Sequence, residues 1–148
     1  MSLRDRILED TKQAMRAKER DRLMLLRSLS AAIKQREVDE QTSLDDADIT
    51  AVVEKQVKQR RDAEQQFRDG GREDLAEQEA RQAEILGEYL PEALDEAELD
   101  QLIDQAIAAA GAESMKDMGQ VMGQLKPQVQ GRADMAEVSS RVKTRLAG

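Results

Sequence analysis

The chain has 148 residues, of which 36% are charged and 1% aromatic, and its net charge at pH 7 is −8. It contains neither Cys nor His, which excludes disulfides, the usual zinc ligands and every nucleophilic triad that relies on imidazole. The negative charge opposes indiscriminate binding to nucleic acid or anionic lipid, so a polyanion has to meet a locally basic patch.

Abundant Ala, Gln, Glu, Arg and Leu predict an all-α fold of exposed helices joined through aliphatic stripes. The polar start Met1 to Asp5 and the lack of a long apolar run predict a cytoplasmic protein with neither signal peptide nor membrane span. The first helix is expected over Leu3 to Lys18, capped by Ser2 with Asp5 three residues on, its apolar side being Leu3, Ile7, Thr11, Ala14 and Met15. The second, Arg20 to Glu40, carries Leu23, Leu26, Leu29 and Ile33, flanked by Leu25, Ala32 and Val38, a stripe wide enough for two neighbours.

Asp45 and Asp48 cap a third helix bearing Ile49, Val52, Val53, Val57, Ala63 and Phe67, which stops at Gly70-Gly71. These aspartates, with Asp46, are read as complements to the helix dipole rather than as a metal site. A fourth helix, Asp74 to Tyr89, presents Leu75, Gln78, Gln82, Ile85, Leu86 and Tyr89. Helices three and four form a long charged antiparallel hairpin. Pro91 forces Leu90 into extended geometry, which places a domain boundary there, with an N-terminal four-helix unit over 1–90 and a C-terminal three-helix domain over 91–148.

In the second unit, Asp95 to Glu98 and the Leu94/Leu99 pair open a helix whose stripe runs from Leu99 to Ala110 and ends at Gly111. Ser114 to Asp117 repeats the capping spacing ahead of a short helix with Met118, Val121, Met122 and Leu125, which Pro127 is expected to limit. Asp134 to Glu137 opens the last helix, with Met135, Val138, Val142 and Leu146 on one side.

No Walker sequence, dinucleotide-binding glycine turn or calcium loop occurs, so no catalytic residue, metal or cofactor is assigned. Gly119 and Gly123 lie four apart on one helical face, each costing about 1 kcal/mol relative to Ala. Either another helix packs closely against them or a ligand or RNA backbone approaches there, and Gly131 joins them as a third close-approach glycine. From Ser114 onward Lys116, Lys126, Arg132, Arg141, Lys143 and Arg145 outnumber Asp117, Asp134 and Glu137. Lys116, Lys126, Arg132 and Lys143 are the RNA-binding candidates, with Lys126 and Arg132 bracketing a Pro127 to Gly131 loop suited to phosphate. Arg141, Lys143 and Arg145 also suit a helix C-terminus. Because the aromatics Phe67 and Tyr89 lie outside this tail, unpaired bases have no stacking platform, and contact with RNA is expected to be to backbone and shape.

Asp117 to Gly123, Pro127, Gly131-Arg132-Ala133-Asp134 and the Val138-Ser139 to Val142-Lys143 ending resemble the signature of the GatB/YqeY family. Gln59-Arg60-Arg61, Arg72 to Leu75 and Glu88-Tyr89-Leu90-Pro91 resemble its stand-alone YqeY-like members. The resemblance implies a C-terminal unit similar to the tail of the B subunit of glutamine-dependent aminoacyl-tRNA amidotransferase, which helps to hold tRNA. It implies kinship with a carbon-nitrogen ligase that uses glutamine as amido-N-donor, without importing the active site, because the glutaminase and kinase-like regions are absent. Expected partners are therefore tRNA or an aminoacyl-tRNA/amidotransferase complex. The alternative is a protein-protein adaptor that works through the charged hairpin from Asp46 to Tyr89.

Overall fold

The computed structural model describes residues 1–147. It is all-α and divides between Leu90 and Pro91 into two compact units. The first contains α1 (Leu3–Arg16), α2 (Arg20–Glu40), α3 (Asp46–Asp69) and α4 (Glu73–Gly87). The second contains α5 (Glu96–Ala110), a 3-10 turn (Met115–Asp117), α6 (Met118–Val129) and α7 (Met135–Ala147). Among the described residues no helix is long and apolar enough to cross a membrane.

The helix starts follow from short polar side chains that accept orphan backbone N–H groups. Ser2 Oγ accepts from Asp5 N at 3.1 Å. Asp45 and Asp48 form a reciprocal capping box with bonds of 2.9 and 3.3 Å. Asp46 Oδ1 accepts from Leu3 N at 3.0 Å, so one aspartate of this run ties the start of α1 to the start of α3. Asp95 Oδ1 accepts from Glu98 N at 2.7 Å, and these N–H donors hold the Asp95 carboxyl below its ordinary range. Gly71 and Gly111 take left-handed φ values of 76° and 61° just past α3 and α5, where a side chain would be strained.

The core of the first unit joins Ile7 and Ala14 of α1 to Leu25, Leu26, Leu29 and Ile33 of α2, with Leu44, Ile49, Val53, Leu86 and Tyr89. Met15 and Val38, both expected on apolar sides, lie outside it and are exposed. Met15 is 53% exposed and Val38 62% exposed; α1 buries a stripe only as wide as the Ile7/Ala14 line, and Val38 stands opposite the buried line of α2. Gln78, placed on the apolar side of α4 by spacing, is likewise exposed.

Farther out, the α3–α4 hairpin packs through small and polar groups. Ala76 and Ala83 are fully buried, and the charged Glu64 is largely buried. Arg61 and Arg68 both pair with Glu64, and these donors lower its carboxyl pKa, the Arg61 hydrogen bond contributing most.

The core of the second unit is aliphatic throughout: Leu99, Ile103, Ala106, Val121, Leu125, Val129, Val138, Val142 and Leu146. Leu94 N donates to Arg132 O at 2.9 Å, which attaches the segment before α5 to the α6–α7 turn.

Candidate nucleic-acid interface

Pro127 does not limit α6. The helix runs on to Val129 with the proline inside its last turns, and Gln130 N donates to Lys126 O at 3.0 Å to close it. The expected Pro127 to Gly131 loop is therefore a helix end followed by a short turn over residues 130–134. Proline removes one backbone donor, the one that would have served the Gly123 carbonyl. Near a helix terminus that loss is tolerable, and burial of Leu125 and Val129 on the opposite face holds the helical course.

On α6, Gly119, Gly123 and Lys126 fall on one face by helical spacing, pointing away from the buried line Val121, Leu125 and Val129. Both glycines are exposed, and a Cβ built at either would meet nothing within 4 Å. Close packing of a neighbouring helix, the first explanation for their cost, is thereby removed among the described residues. What remains is a helix face bare of side chains over a full turn, with backbone open to an approaching surface.

Lys116, on the 3-10 turn just ahead of α6, and Lys126, near its end, are both exposed and form no ion pair among the described residues. The turn carrying Lys116 is built by a capping box between Ser114 and Asp117. Asp117 is occupied there, accepting from Glu113 N at 3.0 Å and Ser114 N at 3.4 Å.

The remaining candidates separate from this face. The Arg132 guanidinium donates through Nε to the Glu92 carbonyl at 2.9 Å and is half-buried, so its first task is to fasten the start of the unit. Gly131 takes φ of 75°, which explains it by backbone conformation without a ligand. Lys143 is exposed on α7 and unpaired among the described residues.

Arg145 stands in the last turn of α7, where a cation suits the helix C-terminus, and both it and Arg141 also bridge α7 to α5. Arg141 meets Asp100 at 3.0 Å, Glu137 at 2.9 Å and Glu96 at 3.3 Å, and its pKa rises, the Glu137 hydrogen bond first among the causes. Arg145 meets Asp100 at 3.1 Å and also pairs with Asp104. Of the six basic residues in the tail, three are thus committed to internal contacts.

Two polar clusters of the first unit escaped the spacing argument. Tyr89, 3% exposed, donates from its hydroxyl to Asp10 Oδ2 at 2.6 Å. The Arg6 guanidinium lies 4.8 Å from its ring centroid. Burial, then the Asp10 carboxylate, raise the phenol pKa, so the hydroxyl keeps its proton and remains a donor. Arg6 donates to the Glu88 carbonyl at 2.9 Å and Arg22 pairs with the Glu88 carboxylate at 3.2 Å. The one visible signal was a lone tyrosine at the end of the α4 stripe.

In the hairpin, Gln56 Oε1, Arg60 Nε and Glu79 Oε2 are buried without a hydrogen-bond partner, Arg60 and Glu79 meeting only as an ion pair at 3.5 Å. Such atoms are costly unless something else satisfies them.

No curated protein matches the chain. The family model described as "Yqey-like protein" matches residues 4–146, which spans both units and includes the α6 face and the Tyr89 cluster. The chain therefore belongs to the Yqey-like protein family.

Proposed function

We propose that the C-terminal unit is a non-catalytic module that receives an RNA backbone, tRNA or an aminoacyl-tRNA/amidotransferase complex being the partner, in the cytoplasm. The observation that carries this reading is the bare glycine face of α6 with an unpaired lysine before and at its end. Phosphate contacts need positive charge and close access rather than base-reading side chains. Lys116 and Lys126 supply the charge, and Gly119 and Gly123 supply the access. Lys143 adds to the field from α7, while Arg132 acts through the turn it fastens. The likeness of the Asp117 to Asp134 segment to the tail of the amidotransferase B subunit supports tRNA as the source of that backbone. With no His or Cys and no paired groups of diagnostic spacing, amidation by the isolated chain is expected to give no turnover.

Titration of uncharged and aminoacylated tRNA into the full chain tests the reading. The expected result is saturable binding whose salt slope falls by about 1 for each of Lys116 and Lys126 replaced by Ala. Absence of saturable binding at low salt would contradict it.

A second reading, a protein-protein adaptor working through the α3–α4 hairpin, is favoured by the unsatisfied Gln56, Arg60 and Glu79 atoms. A partner's polar groups would complete them. Partner capture lost on Arg60→Met, with tRNA binding absent, would select it.

A further inference from the structure

The outward face of α2 has a pattern that neither reading above uses. Arg20, Met24, Arg27, Ala31, Lys34 and Val38 recur at alternating spacings of four and three, opposite the buried Leu25, Leu26, Leu29 and Ile33. All six are exposed, Met24 at 69% and Val38 at 62%. Arg20, Arg27 and Lys34 form no ion pair among the described residues. A cation every seven residues, about 10 Å apart, with an apolar or small residue between, is a seam shaped for another helix. An RNA backbone has no use for the protruding Met24 and Val38.

The complement is on the same unit. Along one flank of α4, Glu77, Ala80 and Glu84 follow at spacings of three and four; Ala80 is half-buried, and both glutamates are exposed and unpaired among the described residues. Read backward, this is the four-then-three spacing of Arg20, Met24 and Arg27. An antiparallel pairing therefore sets Arg20 against Glu84, Met24 against Ala80 and Arg27 against Glu77, the large apolar side chain opposite the small one. A parallel pairing would put Met24 opposite Arg81.

Within one copy the two seams do not face each other: α2 adjoins α4 along the edge of its seam where Arg20 and Met24 lie, and α4 meets it with the side that carries Gln78 and Gln82 rather than with Glu77, Ala80 and Glu84. Asp21, Met24, Leu25 and Ser28 share a cleft of about 250 Å³ with Arg60, Gln78 and Gln82. The Arg22–Glu88 pair at 3.2 Å joins the start of α2 to the end of α4, so the two helices run antiparallel. That cleft also sets Met24 level with residues 78–82 of α4. A twofold axis running along the two helices keeps that level and exchanges sides, placing α2 of one copy over α4 of the other in the register just given. We propose that the chain self-associates as a symmetric dimer through these two seams, each copy giving its basic seam to the other's acidic one. The contact is isologous and closes on itself, and its exposed ion pairs are individually weak, so the dimer is reversible and salt-sensitive. This inference does not depend on the RNA reading.

Sedimentation velocity of the full chain over a range of micromolar concentrations tests it, with circular dichroism to confirm that each variant is folded. Wild-type protein is expected to dimerise at about 50 mM salt and to shift toward monomer as salt rises. Arg27→Glu and Glu77→Arg, each alone, are expected to be monomeric, because each sets like charges together at both seams. Their equimolar mixture is expected to recover a dimer, since one seam is then wild-type and the other charge-swapped. A wild-type chain that stays monomeric at low salt overturns the proposal, as does a dimer unmoved by either reversal or a mixture that remains monomeric.

Discussion

The two units solve the same packing problem with different materials. The N-terminal unit buries a tyrosine hydroxyl on Asp10 and a glutamate between two arginines, so its helices are fixed by specific polar geometry as well as by apolar burial. Among the described residues the C-terminal unit has a wholly aliphatic core of nine residues and confines its ion pairs to the α5–α7 edge. The difference teaches where each has capacity to spare. A core without polar obligations leaves the opposite face of α6 unconstrained, and that is where two glycines stand in open space. In the first unit the surplus is charge, arrayed along helix faces.

The largest effect expected from this contrast is on the small core. Leu125→Ala, at a fully buried site, should destabilise the C-terminal unit by about 2–5 kcal/mol, a large share of what so small a unit holds. Amide exchange should accelerate across α5 to α7 while α1 to α4 keep their protection. Uniform acceleration would instead mean that the two units unfold as one.

Next in size, Tyr89→Phe removes the donor from a part-buried Asp10 carboxylate and should cost about 1–3 kcal/mol. Denaturant unfolding that reports only the first unit is the measurement, and a cost near zero would mean that water replaces the hydroxyl.

The same contrast predicts an unequal response to acid. Glu37 is held below its ordinary pKa, first by the Leu44 N–H at 2.8 Å and then by Arg4 at 2.5 Å. Glu64 is lowered by Arg61 and Arg68. A lowered carboxyl pKa contributes stability that is present above the unfolded value and lost as pH falls through the folded one. The melting temperature should therefore hold near neutrality and drop below the ordinary glutamate range, and Glu37→Gln should flatten that drop. An unchanged profile in the variant would show that the Leu44 and Arg4 contacts carry no linkage.

The smallest effect is a gain. Gly119→Ala and Gly123→Ala should each stabilise the chain by up to about 1 kcal/mol, because the added methyl meets nothing and helix propensity improves. A loss would mean that the backbone at these positions is not the open helix described.

Much of the fold was legible because its signals are local. Asp45, Asp95 and Ser114 announce helix starts, and Gly71 and Gly111 announce stops, through one residue's own chemistry. The aliphatic stripes of α2, α5 and α7 follow the helical period. Pro127 misled because its effect depends on position within a helix: in the last turns it removes one bond without ending the run.

The candidate site was half legible. The glycine pair and the basic tail stand out in the sequence, but which cations are spent inside the fold depends on partners far along the chain. Arg141 and Arg145 reach Asp100, and Arg132 reaches Glu92, about forty positions away. No local pattern reports such distances. Tyr89 was hidden for the same reason, since Asp10 lies at the other end of its unit.

One double variant separates an α6 face that serves a partner from one that serves the fold. Gly119→Gln/Gly123→Gln keeps the charge and the core while filling the bare face with side chains. Melting temperature and tRNA affinity measured on the same sample should move in opposite directions, stability up and binding down by at least several-fold. Stability raised with affinity unchanged would contradict the account, leaving these glycines without a functional reason.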